Sequence, residues 1–237
     1  MKNSSAPPRM LRVACFYDGS FFVRVSNYYK HYHDRKSYLS FTGIHEFIRQ
    51  KIAEYEGTER HMVQMIQSHF FRGRFSLQAA KTANALEADR YFDQLLMYAG
   101  IVSHYYPMNE SVSPPQEKGI DVWLALEAYD LAVTNGFDVL ALVVSDQDFL
   151  PLLRKMHGRS IRTLVLGVDI HYTDTQGIDR SLATSHQLTN EATYALNLSA
   201  EIDATSVNDN KLVDSLFAAP AKTPYVKPAL GAPRKYG

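Results

Sequence analysis

Apolar residues fall along this chain in short, dense runs separated by longer stretches with helical spacing. Leu11–Tyr17 (LRVACFY) reads as a buried strand, and Val139–Val144 (VLALVV) is the clearest of its kind. Met62–Phe71, Ile101–Tyr106 and Ile161–Val168 share this character. Between them lie helical stretches. In the second, Ile44, Phe47, Ile48, Ile52 and Tyr55 recur at the spacing of one helix face. The others run from Phe21 to about Tyr32, Ser76 to about Tyr98, Gly119 to about Thr134, and Asp148 to His157. Gly57, Gly100, Asn135-Gly136 and Gly158 stand where these helices should stop. Apolar strands alternating with helices predict right-handed βαβ crossovers and a parallel sheet covered on both faces, an α/β fold.

From about Ser199 the pattern decays, although Lys211–Phe217 could form a short helix. Pro220, Pro224, Pro228 and Pro233 then recur among alanines, and every charge after Asp214 is positive. The expected organisation is a flexible stretch over residues 1–10, one domain over 11–198, and a disordered Pro/Ala-rich basic tail over 199–237. That tail is either a solubilising end or a basic arm that touches RNA or a partner.

Composition narrows the picture. Lys+Arg equals Asp+Glu at 25 each, so a nucleic-acid partner would need a local patch rather than bulk charge. The single cysteine, Cys15, rules out an internal disulfide and sits in the apolar run, where it reads as core. No apolar stretch approaches the ~20 residues of a membrane span, and MKNSSAPPRM lacks the hydrophobic centre of a signal peptide. A soluble, cytoplasmic chain without a membrane partner is expected.

The candidate chemistry depends on where acids fall. In open parallel sheets, ligands sit outside the carboxyl ends of the strands, where strand order reverses. Asp18 directly follows the first strand, and Asp146 and Asp148 follow the fourth behind Ser145. Asp121 opens the helix after the third strand, so it starts on the same side. Asp138 precedes strand four and falls at the opposite edge, where a structural role is expected. Acids crowded into one crevice repel one another unless neutralised, and oxygen ligands suit Mg²⁺ or Mn²⁺. Asp121 and Asp148 could each instead cap the helix that begins there. Glu127 lies six residues from Asp121, about 240° around the axis, so only its longer arm could reach the crevice.

Two of these segments carry a family resemblance. Glu117-Lys118-Gly119-Ile120-Asp121-Val122, followed by Val143-Val144-Ser145-Asp146-Gln147-Asp148-Phe149-Leu150-Pro151-Leu152, resembles the NYN domain, closest to the LabA-like branch of the PIN-like nuclease superfamily. Phe16-Tyr17-Asp18-Gly19-Ser20 and the turn at Gly100-Ile101 are similar too, and the resemblance covers roughly Leu11 to Leu188. It implies a PIN-like three-layer α/β/α fold with a five-stranded parallel sheet in the order 3-2-1-4-5. It also implies metal-dependent hydrolysis of RNA phosphodiester bonds. The carried-over metal positions are Asp18, Asp121, Asp146 and Asp148, with Glu127 added to the catalytic set where the family has a second helix aspartate. Lys118 matches a family lysine, which implies an RNA contact that neutralises phosphate charge beside the metals. The sequence departs from the family at Phe21, where an asparagine is usual.

Further substrate contacts suggested by position are Arg72, Arg74, Ser20 and Ser145, with Phe71 or Tyr106 stacking on a base. For the arginines a solvated loop is the plain alternative. The basic, aromatic stretch around Tyr28, Tyr29, Tyr32 and Tyr38 suits single-stranded RNA, or equally a helix that packs its tyrosines and exposes its charges. The histidines show no zinc-ligand spacing and read as structural. The leading function is an endoribonuclease acting on single-stranded or structured RNA, and a homodimer is compatible with it. The alternative is a catalytically weak RNA-binding or adaptor module of the same fold. A haloacid-dehalogenase-type phosphatase would need an aspartate where Ser20 stands.

Overall fold

The computed structural model describes residues 9–206 and 210–218. In chain order the elements are β1 (Leu11–Asp18), α1 (Gly19–His31), α2 (Phe41–Glu56), β2 (Val63–Arg74), α3 (Leu77–Thr82), α4 (Leu86–Tyr98) and β3 (Val102–Pro107). They continue with α5 (Ile120–Asn135), β4 (Val139–Val143), α6 (Leu150–His157), β5 (Arg162–Gly167), β6 (Asp169–Thr173) and β7 (Asp179–Ala183). The last are α7 (His186–Glu191), β8 (Tyr194–Asn197), α8 (Leu198–Asp203) and α9 (Lys211–Ser215).

One sheet of six strands runs β3-β2-β1-β4-β5-β8, every neighbouring pair parallel. Its first five strands stand in the predicted order. β8 is the addition: its four residues, Tyr-Ala-Leu-Asn, bury only Leu196, too little apolar signal to announce a strand. The antiparallel hairpin β6–β7 is a second addition, with one buried side chain, Ile170, in its first strand.

Alternation along β1 divides the core in two. Val13, Cys15 and Tyr17 face the side of α1 and α2, while Ala14 and Phe16 face α5 and α6. Cys15 is fully buried and its thiol is pushed up to about 12 by that burial, so it is core, not a nucleophile. Asp138 sits at the amino edge of the sheet, accepting from the Arg12 backbone at 2.8 Å and pairing with Arg9 at 3.0 Å. Among the described residues no helix is long and apolar enough to cross a membrane.

Two expectations change. The helix expected over Ser76–Tyr98 is two helices, parted at Ala83–Ala85, where Asn84 takes a left-handed φ of 52°. Asparagine tolerates that conformation better than most residues. The domain also does not end at 198. Leu198 and Ile202 of α8, and Val213 and Leu216 around α9, are buried in the same core as α1 and α2. The Arg35–Asp214 ion pair (2.6 Å) and a hydrogen bond from the Ser40 amide to the Leu216 carbonyl (2.8 Å) fasten the α9 segment. Residues 199–206 and 210–218 are therefore part of the folded body. Residues 1–8 and 219–237, including the Pro/Ala-rich stretch, lie outside the described residues.

Candidate active site

Strand order reverses between β1 and β4, and the carboxyl ends of these two strands meet there. β1 passes into α1 without a loop. Asp18 ends the strand and caps the helix: its Oδ1 accepts from the amides of Ser20 (3.0 Å) and Phe21 (3.1 Å). The turn needs glycine at 19, because a Cβ there would stand 2.6 Å from the Phe71 carbonyl oxygen on β2. The Phe21 side chain points the other way, buried in the core at 2% exposure. The departure at Phe21 thus substitutes a core anchor whose amide still steadies Asp18.

Beyond β4, Ser145-Asp146-Gln147-Asp148 makes a tight turn, with Asp146 Oδ1 accepting from the Asp148 amide at 3.0 Å. A single turn of 3₁₀ helix (Gln147–Phe149) then leads into α6, anchored by the buried Phe149. Asp121 lies in the first turn of α5, which starts at the left-handed Gly119 (φ 76°).

These pieces frame a depression of about 460 Å³. Asp18, Asp121 and Asp146 line it together with Glu117, and Arg24 and Arg72 form its cationic rim with Ser20 and Ser145 beside them. Burial, first of all, pushes Asp18 up to about 6, with the charges of Asp121 and Glu117 adding to it; the Phe21 amide and Arg24 work the other way. Asp121 is raised as well, chiefly by burial and then by Asp146, Glu117 and Asp148. The field of Asp148 reaches the site although its exposed side chain does not line the depression.

Glu117 is the acid that the strand-end argument missed. Its Oε1 accepts from the Gly73 amide and its Oε2 from the Ser20 hydroxyl, both at 2.7 Å, which ties β2, α1 and the loop before α5 together. Gly73 must lack a side chain, since a Cβ would stand 2.5 Å from the Glu117 side chain. The available signal was an acid two residues before Gly119, the glycine that opens α5.

Glu127 is not among the residues lining the depression. Six residues along α5 carry it about 9 Å from Asp121 as well as around the axis, and its charge acts on His104 of β3. Arg74 is engaged elsewhere, paired with Asp93 at 2.8 Å and lying over the Tyr105 ring at 3.8 Å. Lys118 is exposed beside Gly119. Phe71 is fully buried and stacked under His104 (4.2 Å), so it offers no face to a base; Tyr106 is half exposed at the end of β3. The tyrosines of α1 pack: Tyr29 is fully buried, and Tyr28 and Tyr32 lie against Tyr172. Tyr38 alone of that stretch keeps a largely open face, at 46% exposure.

The donor set suits a hard divalent cation, because it is all carboxylate oxygen. Among the described residues no group of three or more acid, histidine or cysteine side chains is gathered closely enough to hold a metal ion. An open rim is still the arrangement in which Mg²⁺ binds through one or two carboxylates while keeping several waters.

The model of the NYN domain family matches residues 12–199. An uncharacterized protein of Methanocaldococcus jannaschii is 33% identical over 63 residues, which is 26% of each chain; the present chain thus spans about a quarter of that relative's length. The crystal structure of a Vibrio parahaemolyticus protein of unknown function superposes with a TM-score of 0.52 at 16% identity, covering 81% of this chain and 96% of that one, a likeness of fold. With the family model spanning most of the sequence and the sheet running in the implied order, the chain belongs to the NYN domain family of the PIN-like superfamily.

Proposed function

We propose that this chain is a metal-dependent endoribonuclease of the LabA-like branch, hydrolysing RNA phosphodiester bonds at the acid-lined depression. The observation that carries the reading is the convergence of Asp18, Asp121 and Asp146 on one opening, where burial and mutual repulsion raise the first two. Such repulsion is relieved by a cation, and family membership makes RNA the natural substrate class. The paired KGID and SDQDF segments support the finer branch.

Asp18, Asp121 and Asp146 would hold Mg²⁺ or Mn²⁺, and Asp148 adds negative field from the adjacent turn. Such an ion, when bound, supplies Lewis acidity toward the phosphate and an activated water. The chain's own residues supply the rest. The α1 amides fix the Asp18 carboxylate, and Glu117 locks the Ser20 turn to β2. Arg72, Arg24 and Lys118 offer charge to the phosphates on either side of the scissile bond. Glu127 and Arg74 take no part in this reading.

A second reading, an RNA-binding module with weak or no catalysis, is favoured because no three acid, histidine or cysteine side chains among the described residues are gathered closely enough to hold a metal ion. One assay separates the two. Purified chain with Mn²⁺ should cleave RNA, chelator should stop it, and Asp146→Asn should lower the rate by at least about a hundredfold, the scale on which removing one charge-stabilising group acts. Equal residual cleavage by wild type and variant would assign the activity to contamination and leave the binding module.

A further inference from the structure

We propose that the apolar groove beside the acidic depression is a base subsite, holding one unpaired base of an RNA strand whose adjoining phosphate lies at Arg72. This deepens the ribonuclease reading and rests on it.

The groove encloses about 590 Å³ between α1, the segment leading into α2, and α4. Its lining includes Phe22, Tyr38, Phe41, Tyr91, Phe92 and Tyr98. Phe22 and Phe41 are buried and stacked at 4.6 Å, which makes a rigid floor. Tyr91 and Tyr98 stand out from α4 at 56% and 78% exposure. Rings grouped on an open face carry a hydration cost that a bound partner relieves.

What identifies the ligand is the groove's neighbour. Arg72 lines the groove, the acidic depression, and a hollow between them that is also bordered by Gly73, Arg74, Tyr105 and Glu117. Its guanidinium lies 5.9 Å from the Phe92 ring, so one face of that cation is turned to the aromatic wall. Asp89 also borders the groove and the hollow, 3.9 Å from the Arg74 guanidinium, and beyond that pair the surface reads as flat and apolar, then cationic at Arg72, then acidic. A nucleotide strand has the matching order: a flat base, a phosphate, and the next phosphate at the cation-binding acids. A peptide or a second copy of the chain could cover the rings, but neither accounts for a guanidinium shared with the acidic depression. A base inside a duplex cannot enter, so the subsite selects unpaired RNA.

The test is equilibrium binding of the full chain to a labelled oligouridylate in EDTA, which removes cleavage from the readout. The double variant Tyr91→Ala/Tyr98→Ala alters exposed side chains and leaves the acids in place. It should bind about tenfold more weakly, within the range of one base stacked on aromatic rings. An abasic position scanned along the oligonucleotide should weaken the wild type by a similar factor at one place and add little in the variant, because both changes delete the same contact. Binding to a duplex should be the same for the two proteins.

Wild-type affinity in the variant, or an abasic scan without a sensitive position, overturns the subsite while Asp146-dependent cleavage stands. Variants that leave RNA binding intact but lower the mass in sedimentation would make the groove a self-association surface and overturn it equally. A wild type that neither binds nor cleaves any RNA sinks the ribonuclease reading, and the subsite with it.

Discussion

Asp18 serves two roles that pull its charge in opposite directions. As the cap of α1 it gains from ionisation; as a buried acid among acids it is pushed up to about 6. In the folded chain it therefore holds its proton at pH values where the unfolded chain, near 3.8, has released it. The folded state binds more protons between about pH 4 and 6, so this group's contribution to stability is lost as pH rises through that window. Asp18→Asn keeps a capping oxygen and drops the charge. In EDTA at neutral pH it should be more stable than wild type by roughly 1–2 kcal/mol, allowing for the open side of the depression, or several degrees in melting temperature. The difference should vanish near pH 4, and a variant equally less stable at both pH values would contradict the assignment. Cations compete with that proton, so Mn²⁺ affinity should fall as pH drops below about 6, measurable by titration calorimetry. At this scale, much was legible in the sequence. Asp18, Asp121 and Asp146 could be placed because they follow strands or open a helix, whereas Glu117 sits in an irregular loop whose path only the three-dimensional contacts define.

Elements meet most closely where glycine allows it. Gly43 lies in α2, and a Cβ there would run into the backbone of Ser215 and Leu216 at the end of α9. Helix propensity alone would make Gly43→Ala stabilising by about 1 kcal/mol. Overpacking against backbone costs about 1–3 kcal/mol and should win. Urea denaturation should thus show a net loss, and a net gain would mean that α9 does not dock as described. The docking was invisible in sequence for a physical reason. Lys211–Phe217 carries a helical pattern, but its partners, Arg35, Ser40 and Gly43, lie more than a hundred residues away. The division of α3 from α4 was hidden as well, since the Ala-Asn-Ala break contains neither proline nor glycine.

On the scale of the whole molecule, topology does the positioning. Parallel strands β1 and β4, adjacent at the reversal of order, deliver Asp18 and Asp146 to one edge, and the crossover from β3 brings Asp121 and Glu117 over it. The parallel sheet was legible because helix and strand periodicities alternate cleanly up to β5, and its order was what the family resemblance implies. The elements after β5 are short and half-exposed, which is why β8 and the extent of the body past 198 were not. Ile202, Val213 and Leu216 lie in that extension and are nearly fully buried. At roughly 1.5–3 kcal/mol for each such side chain, their loss rivals the whole stability of a typical domain. A chain ending at Leu198 should lack a cooperative thermal transition by circular dichroism; an intact transition would show that the sheet stands without α8 and α9.

The central claim, that these acids together hold a divalent cation, is tested most directly by the anomalous difference map of crystals soaked in millimolar Mn²⁺. A peak bounded by Asp18, Asp121 and Asp146, absent from Asp146→Asn crystals treated alike, is the expected result. Clear density for all three carboxylates with no anomalous peak among them would contradict it.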